Sequence, residues 1–175
     1  MQDSETQIVL KANGTEVTIN KETDKSQKGG FLTSFKADGR EMLEAPLVPN
    51  FYRAMTDNDA FSTWVWSLSN REAAYERWCV RPKQTELLET KVETGDKYVK
   101  VTADIEIKTV PASTLKMTYY FYSSGELEVK FDCDIKQSDS YIPEVGMMTQ
   151  LSPDLENLAW YGNSGETYWD RKQGA

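Results

Sequence analysis

Tyr98-Val99-Lys100-Val101-Thr102-Ala103-Asp104-Ile105-Glu106-Ile107 decides the fold, because Val99, Val101, Ala103, Ile105 and Ile107 alternate with Lys100, Thr102, Asp104 and Glu106. Successive side chains of an extended chain point to opposite faces, so this rhythm predicts a strand buried on one face. Leu115, Met117, Tyr119 and Phe121 repeat it. After Ser123-Ser124-Gly125, Leu127, Val129, Phe131, Cys133 and Ile135 repeat it again, against Glu128, Lys130, Asp132 and Asp134. Short turns between such runs predict an antiparallel meander. A further strand is expected over 84–92, with Glu93-Thr94-Gly95-Asp96 as the hairpin turn into Tyr98.

Outward from the meander the same signals recur. Residues 8–10 and 16–19 flank Asn13-Gly14, and 31–37 and 40–43 flank Asp38-Gly39, dipeptides that tolerate the positive φ of a tight hairpin turn. Late strands are expected over 143–151 and 158–161, with Ser152-Pro153-Asp154 as the turn between them. The exception is 63–79, where Trp64, Leu68, Tyr75 and Trp78 recur at helical spacing without Gly or Pro. Ser69-Asn70-Arg71-Glu72 fits a capping box, which lets that helix begin at Asn70. Residues 21–30 read as a polar loop. The fold class is therefore all-β with one short helical excursion, and the 175 residues form a single domain.

Composition removes several chemistries. Twenty Lys and Arg against 28 Asp and Glu leave a net charge of −8, which repels a phosphate backbone, so no nucleic-acid partner is expected. The chain has no His, which excludes Ser-His-Asp triads, Cys-His dyads and His-ligated zinc. Cys79 and Cys133 are too few for a four-thiolate zinc site, and free buried thiols are the simpler expectation. No metal site and no cofactor are expected. No run approaches the ~18 apolar residues of a membrane helix, and the first residues lack the regions of a signal peptide. A soluble chain is expected, with cytoplasm and periplasm both open.

Carboxylates are abundant, but those at Glu126, Glu128, Asp132 and Asp134 alternate along one strand and read as a solvated face. Asp57-Asn58-Asp59, with Arg53 four residues earlier, is denser. It suits either turn chemistry or a polar ligand, and it lacks the EF-hand glycine and glutamate, whose positions hold Ser62 and Leu68. Of the tryptophans, Trp64 and Trp78 share the helical stripe and are assigned to the core, whereas Trp66 and Trp169 are the candidates for stacking on a sugar ring. Asn13-Gly14-Thr15 has the form of a glycosylation acceptor, and its tight turn explains it without one.

Two segments together resemble a known family. Residues 45–59, which include Phe51-Tyr52-Arg53-Ala54 and Thr56-Asp57-Asn58-Asp59, are similar to a stretch of the family 2 β-galactosidases. That family continues with an aromatic helix, a meander and a Gly-rich segment ending in Glu-x-Tyr-x-Asp-Arg, which here reads Glu166-Thr167-Tyr168-Trp169-Asp170-Arg171. The sequence departs from the pattern in two places. It has one residue fewer between Gly162 and Glu166, and it has Pro143-Glu144-Val145-Gly146 where the family commonly carries Pro-Arg-x-Gly.

The resemblance implies an antiparallel two-sheet supersandwich like galactose mutarotase, forming the C-terminal small-chain domain of a retaining glycoside hydrolase and truncated at its C-terminal end. It further implies no catalytic residue here, because the two glutamates of the mechanism lie on a separate barrel domain, the expected partner, through which carbohydrate substrate is met. Arg53, Asp57, Asn58, Asp59, Glu166, Tyr168, Asp170 and Arg171 are the expected polar loops, either substrate-binding or architectural. An exposed edge in such a sandwich makes pairing with a second copy an expectation. The rival readings are a stand-alone carbohydrate-binding module, a mutarotase-like epimerase disfavoured by the missing His, and a cell-surface interaction domain.

Overall fold

The computed structural model describes residues 1–22, 29–54, 84–109, 111–136, 142–159 and 161. The expected helix over 63–79, Cys79 and most of the loop over 21–30 lie outside them. The described residues form eleven strands and no helix: β1 (Gln2–Asp3), β2 (Gln7–Ala12), β3 (Thr15–Asn20), β4 (Leu32–Ala37), β5 (Arg40–Glu41), β6 (Leu43–Asn50), β7 (Thr85–Thr94), β8 (Tyr98–Ile107), β9 (Ser113–Tyr122), β10 (Leu127–Asp134) and β11 (Gly146–Leu151). All pairings are antiparallel. One sheet runs β1-β2-β3-β4-β6-β11, with β5 beside β4, and the other is the meander β10-β9-β8-β7.

The expected hairpins form where their turn chemistry lies. Ala12 pairs with Thr15 and Ala37 with Arg40, leaving two-residue loops in which Asn13, Gly14, Asp38 and Gly39 have φ of 44°, 79°, 49° and 80°. Positive φ at both loop residues matches the twist of the flanking strands, and Asn, Asp and Gly adopt it at least cost. Within the meander, β8 and β9 keep their register from Ile107 opposite Ser113 to Tyr98 opposite Tyr122, while β7 slips against β8 between Leu87 and Glu89. Its inward residues Val101, Ala103, Ile105, Ile107, Leu115, Met117, Tyr119 and Phe121 are buried, as alternation requires.

Those side chains meet Ile8, Leu10, Val17, Ile19, Phe31 and Phe51 from the larger sheet in one core. Burying each such side chain contributes roughly 1.5–3 kcal/mol, which makes this layer the main source of cohesion. Two polar ties add direction. The Tyr119 hydroxyl donates to the Gly30 carbonyl (3.0 Å), joining the meander to the loop before β4, and Asn13 Nδ2 donates to the Ser124 carbonyl (2.8 Å), joining the β2–β3 turn to the β9–β10 turn. Gly30 has φ of 90°, and a Cβ there would lie 2.8 Å from Ile105 Cδ1, so only glycine lets the chain pass this close to β8.

Three sequence-based expectations change. The 40–43 strand divides into β5 and β6, because the Glu41 side chain bends the chain between them, and β6 then runs on to Asn50 through Pro46 and Pro49. The strand expected from 143 begins at Gly146. Among the described positions of 158–161, no strand forms. The Ser152 amide donates to the Met42 carbonyl and keeps the turn beside β6, while Leu158 is 76% exposed and Tyr161 fully so. A short apolar run with neither a ladder nor a core surface to join among the described residues does not make a strand.

Candidate functional site

Of the ten candidate residues, Arg53 alone lies within the described residues. Asp57, Asn58, Asp59, Trp66, Glu166, Tyr168, Trp169, Asp170 and Arg171 lie outside them. Arg53 follows β6, whose last residues turn on themselves: Asn50 Nδ2 donates to the Tyr52 carbonyl (2.9 Å), and the Tyr52 amide returns to Asn50 Oδ1 (3.4 Å). Phe51 between them is fully buried and anchors the turn in the core. Arg53 is half-buried, and its Nη1 donates to the Ala54 carbonyl (3.0 Å). Because Gly146 pairs with Asn50, the start of β11 stands beside this rim. Phe51-Tyr52-Arg53-Ala54, which belongs to one of the segments that carry the family resemblance, and Pro143-Glu144-Val145-Gly146, where the sequence departs from the family, therefore lie close together although about ninety residues separate them.

Glu41 holds the next corner. Its carboxylate accepts from the Ser34 hydroxyl (2.5 Å) and from the amides of Phe35 (2.9 Å), Met42 (3.2 Å) and Leu43 (3.1 Å). Burial pushes its acidity the other way, yet these donors prevail and keep the carboxyl below its ordinary range. Arg40 reaches Asp154 (3.1 Å) across the same corner. This cluster holds the junction of β4, β5 and β6 with the turn after β11.

The outer face of the meander carries the aromatic group that sequence reasoning missed. Tyr98 stands edge-to-face against Tyr120 (5.3 Å between centroids) and Tyr122 (5.8 Å), and Lys130 Nζ lies 5.1 Å from the Tyr120 ring centre. The Tyr122 hydroxyl donates to Glu128 (2.9 Å), which also pairs with Lys130 (3.0 Å). The signal was present in the register: one hairpin places Tyr98 opposite Tyr122, and two residues further along β9 place Tyr120 on the same face. A cleft of about 230 Å³ opens beside Tyr98 and Tyr122, closed on its far side by Leu10, Lys11 and Ala12. A second depression of about 530 Å³ lies over Asp104, Lys116, Asp132 and Asp134.

Electrostatically these surfaces are paired. Lys11 and then Lys36 lower the acidity range of Glu16, Lys108 does so for Glu86, and Lys130 followed by Tyr122 for Glu128. Burial, aided by Asp132, raises the Cys133 thiol, which is the opposite of an activated nucleophile. A general acid for glycoside cleavage needs a carboxyl held protonated near neutral pH, whereas every shifted carboxylate among the described residues is held ionised. No group of three or more metal-ligating side chains occurs among the described residues, and no helix there is long and apolar enough to cross a membrane.

Comparison with known proteins supplies the context. A family described as "Beta galactosidase small chain" matches residues 13–175. The β-galactosidase of Priestia megaterium is 29% identical over 151 residues, which cover 85% of this chain and 14% of that protein. That of Streptococcus thermophilus is 28% identical over 151 residues, covering 86% and 14%. That of Lactobacillus delbrueckii subsp. bulgaricus is 26% identical over 173 residues, covering 98% and 16%. The chain thus spans about one-seventh of the length of these relatives.

Proposed function

This chain belongs to the β-galactosidase small-chain family, and we propose that it is the non-catalytic β-sandwich portion of an enzyme that hydrolyses terminal β-galactosides, supporting and shaping that enzyme's active site. One observation carries the reading: the family match runs through nearly the whole chain, while the β-galactosidases it resembles are several times longer. The described surface supports it, since its shifted carboxylates are held ionised by lysines or backbone amides and not poised to give up a proton. Retaining hydrolysis needs two carboxyl groups about 5 Å apart across one bond, and in this reading both lie on a separate barrel domain.

The β6–β11 rim is then the side that meets the rest of the enzyme. In this reading Arg53, Asp57, Asn58, Asp59, Glu166, Tyr168, Asp170 and Arg171 are assigned to polar loops, substrate-binding or architectural, and Trp66 and Trp169 to stacking on a sugar ring. The galactose mutarotase-like supersandwich belongs to the same reading.

Hydrolysis of a chromogenic β-galactoside tests it. The purified chain alone is expected to be inactive and to restore activity when added to the separately produced remainder of its enzyme; turnover by the isolated chain would overturn the assignment. A second reading, a stand-alone carbohydrate-binding module, has the exposed Tyr98 cluster in its favour. Tyr98 crosses Tyr120 at 79° and Tyr122 at 67°, so it shares a stacking plane with neither, and galactose failing to perturb tyrosine fluorescence would remove this reading.

A further inference from the structure

We propose that Asn13 is a site of spontaneous deamidation, and that the reaction cuts the clamp between the β2–β3 turn and the β9–β10 turn. Asn13-Gly14 is the only Asn-Gly step in the sequence. Both residues are exposed, and their loop leaves the Gly14 amide outside the β2–β3 ladder, whose last pair is Ala12 with Thr15. Glycine has no Cβ to hold its nitrogen away from the preceding side chain, and asparagine is among the chemically labile residues.

The reaction needs only this turn and water. The Gly14 nitrogen gives its proton to hydroxide and bonds to Asn13 Cγ, closing a succinimide ring. The Cγ–Nδ2 bond breaks, and Nδ2 takes up a proton and leaves as ammonia. Water then opens the ring at one carbonyl or the other, so that aspartate or isoaspartate replaces the asparagine.

The fold sets the rate. Nδ2, the leaving group, donates to the Ser124 carbonyl at 2.8 Å, which holds the Asn13 side chain toward the β9–β10 turn. The two turns are seated on one another: a Cβ on Gly125, whose φ is 90°, would lie 2.9 Å from Thr15 Oγ1 and 3.2 Å from the Ala12 carbonyl oxygen. Reaction therefore waits for the tip to open, and one hydrogen bond of this kind slows it by about two- to tenfold.

The product does not fit the clamp. It has lost the donor to Ser124 and sets a carboxylate against that carbonyl. Other carboxylates stand close by: Glu126 accepts from the Ser124 hydroxyl at 2.9 Å, and Asp38 Oδ1 lies 2.5 Å from where a Cβ on Gly14 would be. Isoaspartate also adds a backbone carbon to the two-residue loop that fixes β2 against β3. The clamp then has no donor with which to re-form, and the change runs one way.

Peptide mapping by mass spectrometry tests this on the whole chain, held at about 37 °C and about pH 8.5 with and without denaturing urea, as a gain of about 1 Da at position 13. In the folded chain the gain is expected at Asn13 ahead of Asn20, Asn50 and Asn157. Urea should accelerate it by about two- to tenfold. Gly125→Ala wedges the turns apart and should move the folded rate toward the unfolded one. Thermal denaturation reads the clamp itself. Asn13→Gly keeps the positive φ and loses the tie, and should lower Tm by about 2–4 °C, with Asn13→Asp lower still. Far-UV circular dichroism establishes which variants fold; if Gly125→Ala does not, the urea comparison and the Asn13 variants decide. A folded chain unchanged at position 13 when the unfolded chain has converted overturns the proposal, as does a rate that urea does not raise. So does a folded Gly125→Ala chain reacting at the wild-type rate, or Asn13→Asp as stable as wild type.

Discussion

Replacing Tyr119 by Phe removes one oxygen from the centre of the sandwich and keeps the ring. The Tyr119 side chain is fully buried, its hydroxyl donates to the Gly30 carbonyl at 3.0 Å, and the Leu32 amide is directed at the same oxygen. Without it, a buried carbonyl loses its side-chain partner, at about 1–3 kcal/mol, and the amide contact is lost as well, so Tyr119→Phe should cost about 2–3 kcal/mol at neutral pH. For a chain of this length that lowers Tm by about 5–10 °C. Tyr120→Phe, on the outer face where the hydroxyl makes no hydrogen bond among the described residues, should stay within about 0.5 kcal/mol. The pH dependence adds a second signature. Burial raises the Tyr119 phenol above its ordinary 10.0, only partly offset by the Leu32 amide. Above pH 10 the unfolded chain therefore releases this proton while the folded chain retains it, and the wild-type protein loses about 1.4 kcal/mol per pH unit that the Phe variant does not lose. The gap between them should close by about pH 11.5–12. Urea denaturation at pH 7, 9 and 11 measures it. A Tyr119→Phe cost no larger than that of Tyr120→Phe, or a gap unchanged between pH 9 and pH 11, would refute the reasoning.

Two further outcomes follow from named contacts. Glu41→Gln exchanges a carboxylate holding four donors for an amide, and should cost about 1–3 kcal/mol at pH 7. Because the folded carboxyl is lower than its ordinary 4.5, that stability is present above pH 4.5 and is lost as pH falls below it, so wild type and variant should converge in acid denaturation. Gly30→Ala forces a Cβ to within 2.8 Å of Ile105 Cδ1 and 3.1 Å of Ala103 Cβ at a φ of 90°. It should destabilise by about 2–4 kcal/mol, read as a lower denaturation midpoint with an unchanged slope.

Much of the meander was legible because one physical constraint acts along its whole length. A strand buried on one face shows its alternation directly, and Asn13-Gly14 and Asp38-Gly39 mark hairpins because few residues tolerate positive φ in succession. β6 was harder to read. Its Leu43-Glu44-Ala45-Pro46-Leu47-Val48-Pro49-Asn50 has two prolines and no clean alternation, and it becomes a strand because β4 and β11 flank it. The apolar run 158–161 misled in the opposite direction, since its described positions pair with no neighbouring strand among the described residues. In the candidate site, Arg53 was legible as a residue but its setting was not: the Asn50–Tyr52 turn and the neighbouring start of β11 depend on pairing across the chain.

What the amino-acid order determined by itself is therefore local and one-dimensional: which residues alternate, where the chain reverses, the absence of histidine and the acidic balance. These depend on side-chain period and on φ preference, which each short segment carries with it. Tertiary structure alone decided which strands share a sheet, that β6 receives β4 on one side and β11 on the other, and that Tyr119 closes on Gly30 across the core. It also decided that Leu115 and Met117 on β9 are sealed while Val129 and Phe131 on β10 remain half-buried, although the four positions read alike in sequence. Burial is a property of what packs opposite a residue, and two strands with the same alternation differ as soon as one has neighbours on both edges and the other on one.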